Sequence, residues 1–133
     1  MEAKNEVKDT LTVTLTGRRP VQIDKAEWPI VASADDDSLS HRGIDYACYQ
    51  EALARGEADR YRLKVRQHAD GRTIVYGVLD AATAWTGNED HRGGELLAPG
   101  ADVAAAIRRV GEECGLPDRV IRDCVADLPA EKI

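Results

Sequence analysis

The stretch Tyr61 to Asp80, YRLKVRQHADGRTIVYGVLD, alternates apolar and polar residues on both sides of an Asp70-Gly71 pair. A period of two is the pattern of a strand with one buried face, and Asp-Gly between two such runs marks a hairpin turn. Taking Asp70 and Gly71 as a two-residue turn sets Leu63 opposite Val78, Val65 opposite Tyr76 and Gln67 opposite Ile74. These side chains then share one face. The other face carries Arg62, Lys64, Arg66 and His68, opposite Leu79, Gly77, Val75 and Thr73. A slip of one residue would move every apolar side chain to the wrong side, so the register reads as well specified.

The ribbon also stands apart in charge. Arg62, Lys64, Arg66 and Arg72 against Asp70 and Asp80 leave it at +2, and the rest of the chain at −8 for the overall −6. General nucleic-acid binders show the opposite balance, because their affinity comes from neutralising phosphates. The basic row Arg62, Lys64, Arg66 and His68 is the candidate for phosphate contact, yet Tyr61 and Tyr76 fall on the apolar face. Basic and aromatic residues therefore do not interleave on one surface, and a solvated sheet face paired with acids is the plainer reading.

Upstream, Thr10 to Thr16 alternates strictly, with Leu11, Val13 and Leu15 on one side and threonines on the other, and predicts a strand. Gly17-Arg18-Arg19 turns it into Val21-Gln22-Ile23, with Leu15 facing Val21 and Val13 facing Ile23. Asp24-x-x-Glu27 has the spacing of a capping box, and Trp28, Val31 and Ala32 fall on one helical face, so a helix is expected from Asp24 or Pro29 to about Asp35. Asp35-Asp36-Asp37 opens a polar loop without the alternating oxygens and terminal Glu of a calcium loop. A second helix, Asp45 to Arg55, is expected within a helical insertion over 35–60; residues 1–9 read as an unstructured start.

Ala81 to Gly100 has no clean period and reads as an irregular segment that Trp85 anchors to the core. Its stretch Asn88-Glu89-Asp90-His91-Arg92-Gly93-Gly94-Glu95 gathers more chemistry than any other, but neighbouring residues point apart in a turn and no second ligand cluster follows. The C-terminus reads as a helical pair. Val103, Ile107, Val110 and Cys114 repeat at helical spacing before Gly115; Val120, Ile121, Cys124, Val125 and Leu128 follow, and Pro129 stops the run. As a helix-turn-helix this pair would present Asp118, Arg119, Arg122, Asp123 and Asp127 to a phosphate-lined groove, so a plain αα-hairpin is the better reading.

These elements predict an α+β fold: two antiparallel hairpins forming a sheet of about four strands, with helices packed on one face, in one domain over 1–133. At 133 residues such a domain buries roughly two-thirds of the surface its unfolded chain exposes. No apolar run approaches the roughly 20 residues of a membrane helix and the N-terminus is polar, so a cytoplasmic protein is expected. Cys48, Cys114 and Cys124 form no C-x-x-C and read as reduced small hydrophobes. No nucleophile elbow, P-loop or dinucleotide fingerprint occurs. No enzyme activity, cofactor or metal is expected.

The phrases TVTLTGRRPVQIDKAEWPIVASA, LKVRQHADGRTIVYGVLD, RGGELLAPGADVAAAIRRVG and VADLPAE resemble a family of small uncharacterised proteins encoded on bacterial mobile genetic elements. The resemblance spans most of the chain except Asp35 to Arg60 and carries no residue-level roles. It implies plasmid or integrative-element maintenance, transfer or counter-defence. The functional expectation is a non-enzymatic protein acting by protein–protein contact, of which an anti-CRISPR-type inhibitor of a basic nucleic-acid-handling effector is one form. The expected contact residues are Asp35, Asp36, Asp37, Trp85, Glu89, Asp90, His91, Arg92 and Glu95. The alternative is a nucleic-acid-binding accessory protein using Arg62, Lys64, Arg66 and His68.

Overall fold

Asp70-Gly71 does turn the ribbon, but through a loop one residue longer than the pair alone suggests. In the computed structural model, which describes residues 9–36, 60–80 and 91–130, the His68 N–H donates to the Arg72 carbonyl (2.9 Å) and the Gly71 N–H to the His68 carbonyl (2.9 Å). Gly71 takes φ of +96°, so Ala69-Asp70-Gly71 form a three-residue loop that ends on a left-handed glycine. The Asp70 carboxylate locks the turn by accepting from the Arg72 N–H (3.0 Å) and Nε (2.7 Å).

That extra residue shifts the register by one and corrects the expected pairing. Leu63 faces Gly77, Val65 faces Val75 and Gln67 faces Thr73, while Arg66 faces Ile74 and Lys64 faces Tyr76. Leu63 and Val65 now share a face with Val75, whereas Ile74, Tyr76 and Val78 point to the other side, among the basic residues. All six of these apolar side chains are at most 1% exposed. Both faces are covered.

The ribbon strands, β4 (Arg60–Gln67) and β5 (Thr73–Asp80), are the centre of a four-stranded antiparallel sheet. Its edges are β3 (Ile30–Asp36) and β6 (His91–Leu97), in the order β3-β4-β5-β6. The first hairpin, β1 (Thr10–Val13) with β2 (Val21–Asp24), forms a separate two-stranded sheet and does not extend the larger one. Its register is also displaced: Val13 pairs with Val21 and Leu11 with Ile23, leaving Thr14 to Pro20 as the connection. That connection reaches the edge of β6, where the Thr16 N–H donates to the Gly94 carbonyl (2.9 Å).

The expected helix over 24–35 is one turn followed by a strand. The Asp24 carboxylate caps the Ala26 N–H (2.9 Å), and the Glu27 and Trp28 N–H groups donate to the Asp24 carbonyl. The capping signal is real, but Pro29 cannot continue a helix, and Ile30-Val31 extend instead. β3 pairs with β4 through a bulge between Ile30 and Ala32. The expected second helix, Asp45 to Arg55, lies outside the described residues.

The segment expected to be irregular contains β6. Its strand pattern is hidden because two positions have no side chain. A Cβ on Gly94 would lie 2.7 Å from the Val75 carbonyl oxygen and 3.0 Å from that of Thr14, and one on Gly93 would lie 2.8 Å from Thr16 Oγ1. Glycine is required there for close approach of the connection above it. The C-terminal pair is as expected: α1 (Val103–Glu113), Gly115 at φ +71°, then α2 (Asp118–Ala126). Asp102 caps α1 by accepting from the Ala105 N–H (3.1 Å).

Two buried clusters divide the core. Ile107, Val110, Val120, Ile121 and Cys124 of the helices join Ala32, Leu63, Val65, Val75 and Leu97. Val13, Leu15, Ile23 and Trp28 join Ile74, Tyr76 and Val78. The fold is α+β, and among the described residues no helix is long and apolar enough to cross a membrane.

Candidate partner-binding surface

The basic row of β4 does not face open solvent, a further correction to the sequence reading. Arg66 is 7% exposed; its Nε donates to Tyr76 Oη (2.9 Å) and its Nη1 to the Trp28 carbonyl (3.0 Å). Arg62, Lys64 and His68 are half-buried. The cause is the register: with Ile74, Tyr76 and Val78 on this face, the first hairpin and Trp28 cover part of it. Trp28 in turn packs against His68, with ring centroids 5.1 Å apart, and under the Arg72 guanidinium at 5.1 Å. His68 Nδ1 accepts from the Asp70 N–H (3.1 Å). This cluster is a clamp closing the ribbon's end. The Arg72 N–H, then its guanidinium, hold the Asp70 carboxyl below its ordinary value against the opposing cost of desolvation.

The acid–histidine stretch is likewise taken apart. His91 and Glu95 belong to one strand but point to opposite faces. His91 sits opposite Val78, half-buried, its ring 4.8 Å from that of Tyr76. Glu95 sits opposite Val75 and reaches α1, accepting from Arg109 Nε (3.0 Å) and Nη2 (2.8 Å). This bidentate pair keeps Arg109 protonated beyond its ordinary range. Arg92 is exposed. Trp85, Glu89, Asp90 and Asp37 lie outside the described residues. Asp35 is exposed on β3 opposite Arg62, with Asp36 next to it opposite Tyr61.

Neither described cysteine is set up as a nucleophile. Burial first, then the nearby Asp127, push the Cys124 thiol up to about 12, and its S–H lies 3.8 Å from the Leu63 carbonyl. Burial also raises Cys114, which is wedged against Gly77 and Gly93. Among the described residues no group of three or more His, Cys, Asp or Glu is placed to hold a metal ion.

The structure brings together residues that no sequence pattern had connected. A cleft of about 860 Å³ opens where β4 and β5 run out beneath the helices. Val65, Gln67 and Thr73 line its sheet side, and Ala101 to Val103 with Ala104 form one wall. Val125, Leu128 and Pro129 form the other. Gln67 Nε2 donates to Thr73 Oγ1 (3.3 Å) within it. The sequence reading did not single out Asp102, although an Asp directly before an apolar helical period is a cap signal. Beside the cleft, the outward N–H of Ser33 on edge strand β3 donates to Asp127 Oδ2 (2.9 Å), which covers part of that edge.

The described residues define an α+β fold with a mixed cleft at one end of the sheet. No protein-family model, curated protein or solved structure matches the chain.

Proposed function

We propose that the protein is a non-enzymatic binding protein that works through protein–protein contact. Its most specific form is an inhibitor of a basic nucleic-acid-handling effector, of the anti-CRISPR type, in the setting of a mobile element. The observation that carries this reading is the withdrawal of the basic ribbon: Arg66 is 93% buried with no carboxylate partner among the described residues, and Arg62 and Lys64 are half-buried. With net charge −6, burying a cation leaves the exposed surface more negative still. Such a surface repels phosphate and speeds encounter with a basic partner.

The test is affinity capture from a bacterial lysate with and without nuclease. The expected result is a basic protein retained after nuclease digestion, released by salt, and lost when Asp35, Asp36 and Asp37 become Asn. Capture that vanishes with nuclease would instead establish the nucleic-acid reading, as would salt-dependent DNA or RNA binding that falls on Arg62→Ala with Lys64→Ala.

A further inference from the structure

The two edge strands of the four-stranded sheet are closed by different means. At β6 the closing bond comes from backbone, where the Thr16 N–H donates to the Gly94 carbonyl. At β3 it comes from a side chain 94 residues away: the Ser33 N–H donates to Asp127 Oδ2 at 2.9 Å. Asp127 directly follows α2 and is still helical (φ −82°, ψ −9°), its own N–H bonded back to the Asp123 and Cys124 carbonyls. Its carboxylate is therefore fixed at a helix C-terminus, where free carbonyls carry partial negative charge and an acid is disfavoured. No basic residue in the last turn offsets it. The helix gains nothing from an acid here; the strand edge does.

That edge is open to association. Ser33 and Asp35 are exposed, and Ile30, at 45%, is the one large apolar side chain exposed among the described residues. The bulge between Ile30 and Ala32 interrupts the first half of β3, which leaves Ala32 to Asp36 as the regular half. We propose that Asp127 guards this half: by taking the Ser33 N–H, it keeps β3 from adding the β3 of a second copy of this chain. The second copy is the occupant because the regular half is compatible with itself. Antiparallel pairing about Ala34 sets Ser33 opposite Asp35 in both directions, so no acid directly faces an acid. Each Ser33 N–H would then go to the other copy's Asp35 carbonyl, and that N–H is the one Asp127 already holds. The proposal is independent of the binding-protein reading above.

Sedimentation equilibrium of the full chain tests it. Wild type should stay monomeric, and so should Asp127→Asn, whose amide oxygen still accepts the Ser33 N–H. Asp127→Ala should dimerise at a concentration about twenty-five-fold lower than wild type, from two regained strand hydrogen bonds at about fivefold each. Adding Ser33→Asp, which sets acid against acid in this pairing, should return Asp127→Ala to monomer. A folded Asp127→Ala that stays as monomeric as wild type overturns the proposal, and so does a dimer that Ser33→Asp leaves intact. Wild type gives a second reading that needs no variant to fold. By hydrogen exchange its Ser33 amide should be protected despite lying on an edge strand, and exchange at the rate of a free amide overturns the guard.

Discussion

The two faces of the four-stranded sheet each bury an apolar core, by different means. On the Leu63 face, strand side chains meet apolar helix residues, and the close approach of backbone at Gly77 is made against a side chain, Cys114. On the Tyr76 face, isoleucine, tyrosine and valine alternate with a row of cations, and the close approach at Gly94 is made against the backbone of the first hairpin's connection. The first face is ordinary apolar packing. The second is a mixed layer in which a buried guanidinium ties Trp28 to the sheet. A strand face rich in basic residues is therefore not necessarily a binding face; it can be a core face whose cations are held by aromatic and carbonyl oxygens.

The comparison breaks most visibly if the second face is not a true core. Leu63→Ala and Ile74→Ala, one on each face, should each cost about 3 kcal/mol in urea denaturation, because both side chains are buried and leave cavities. An Ile74→Ala cost near that of a surface change would mean that the hairpin does not seal its side. Next in size are the glycines. Gly77→Ala and Gly94→Ala should each cost about 2 kcal/mol from overpacking. Cys114→Ala should restore much of the loss at Gly77, where the added Cβ meets Sγ at 2.8 Å. No single side-chain truncation should rescue Gly94→Ala, whose Cβ meets carbonyl oxygens.

Arg66→Met sharpens the chemistry of the mixed layer. It keeps volume but removes the donors to Tyr76 Oη and the Trp28 carbonyl, and should cost about 1–2 kcal/mol, with altered Trp28 fluorescence in the folded state. The smallest effect belongs to the ribbon's tip. Because folding lowers the Asp70 pKa, its contribution to stability is present above the ordinary carboxylate range and fades as pH falls through the lowered value. Asp70→Asn should therefore lower the melting temperature slightly at neutral pH and leave it unchanged in strong acid.

Elements with a continuous local signal were legible. The helical pair appears where its 3.6-residue period and Gly115 put it, and β4 and β5 where their alternation does. β6 was not, because Gly93 and Gly94 stand where side chains would have shown the period. At Asp24 the cap was legible and its consequence was not, since Pro29 limits the turn. Of the candidate site, Asp35 and Asp36 emerge on an edge strand, His91 and Glu95 separate to opposite faces, and the cleft went unseen because its walls come from β3–β5 and from both ends of the helical pair.

By itself the sequence determined that Tyr61 to Asp80 is a hairpin with its turn at Asp70-Gly71, and that Val103 to Leu128 is an αα-hairpin. These follow from period, turn chemistry and caps, all local properties of the chain. Tertiary structure decided the ribbon's register and so the fate of its charges. An alternating pattern specifies register only when one face is buried; here both faces are covered, and a loop one residue longer places Leu63 and Tyr76 on opposite sides at no cost in apolar burial. The choice was made by what packs above and below, through Gly71 closing the longer loop and Tyr76 accepting the hydrogen bond that lets Arg66 lie inside.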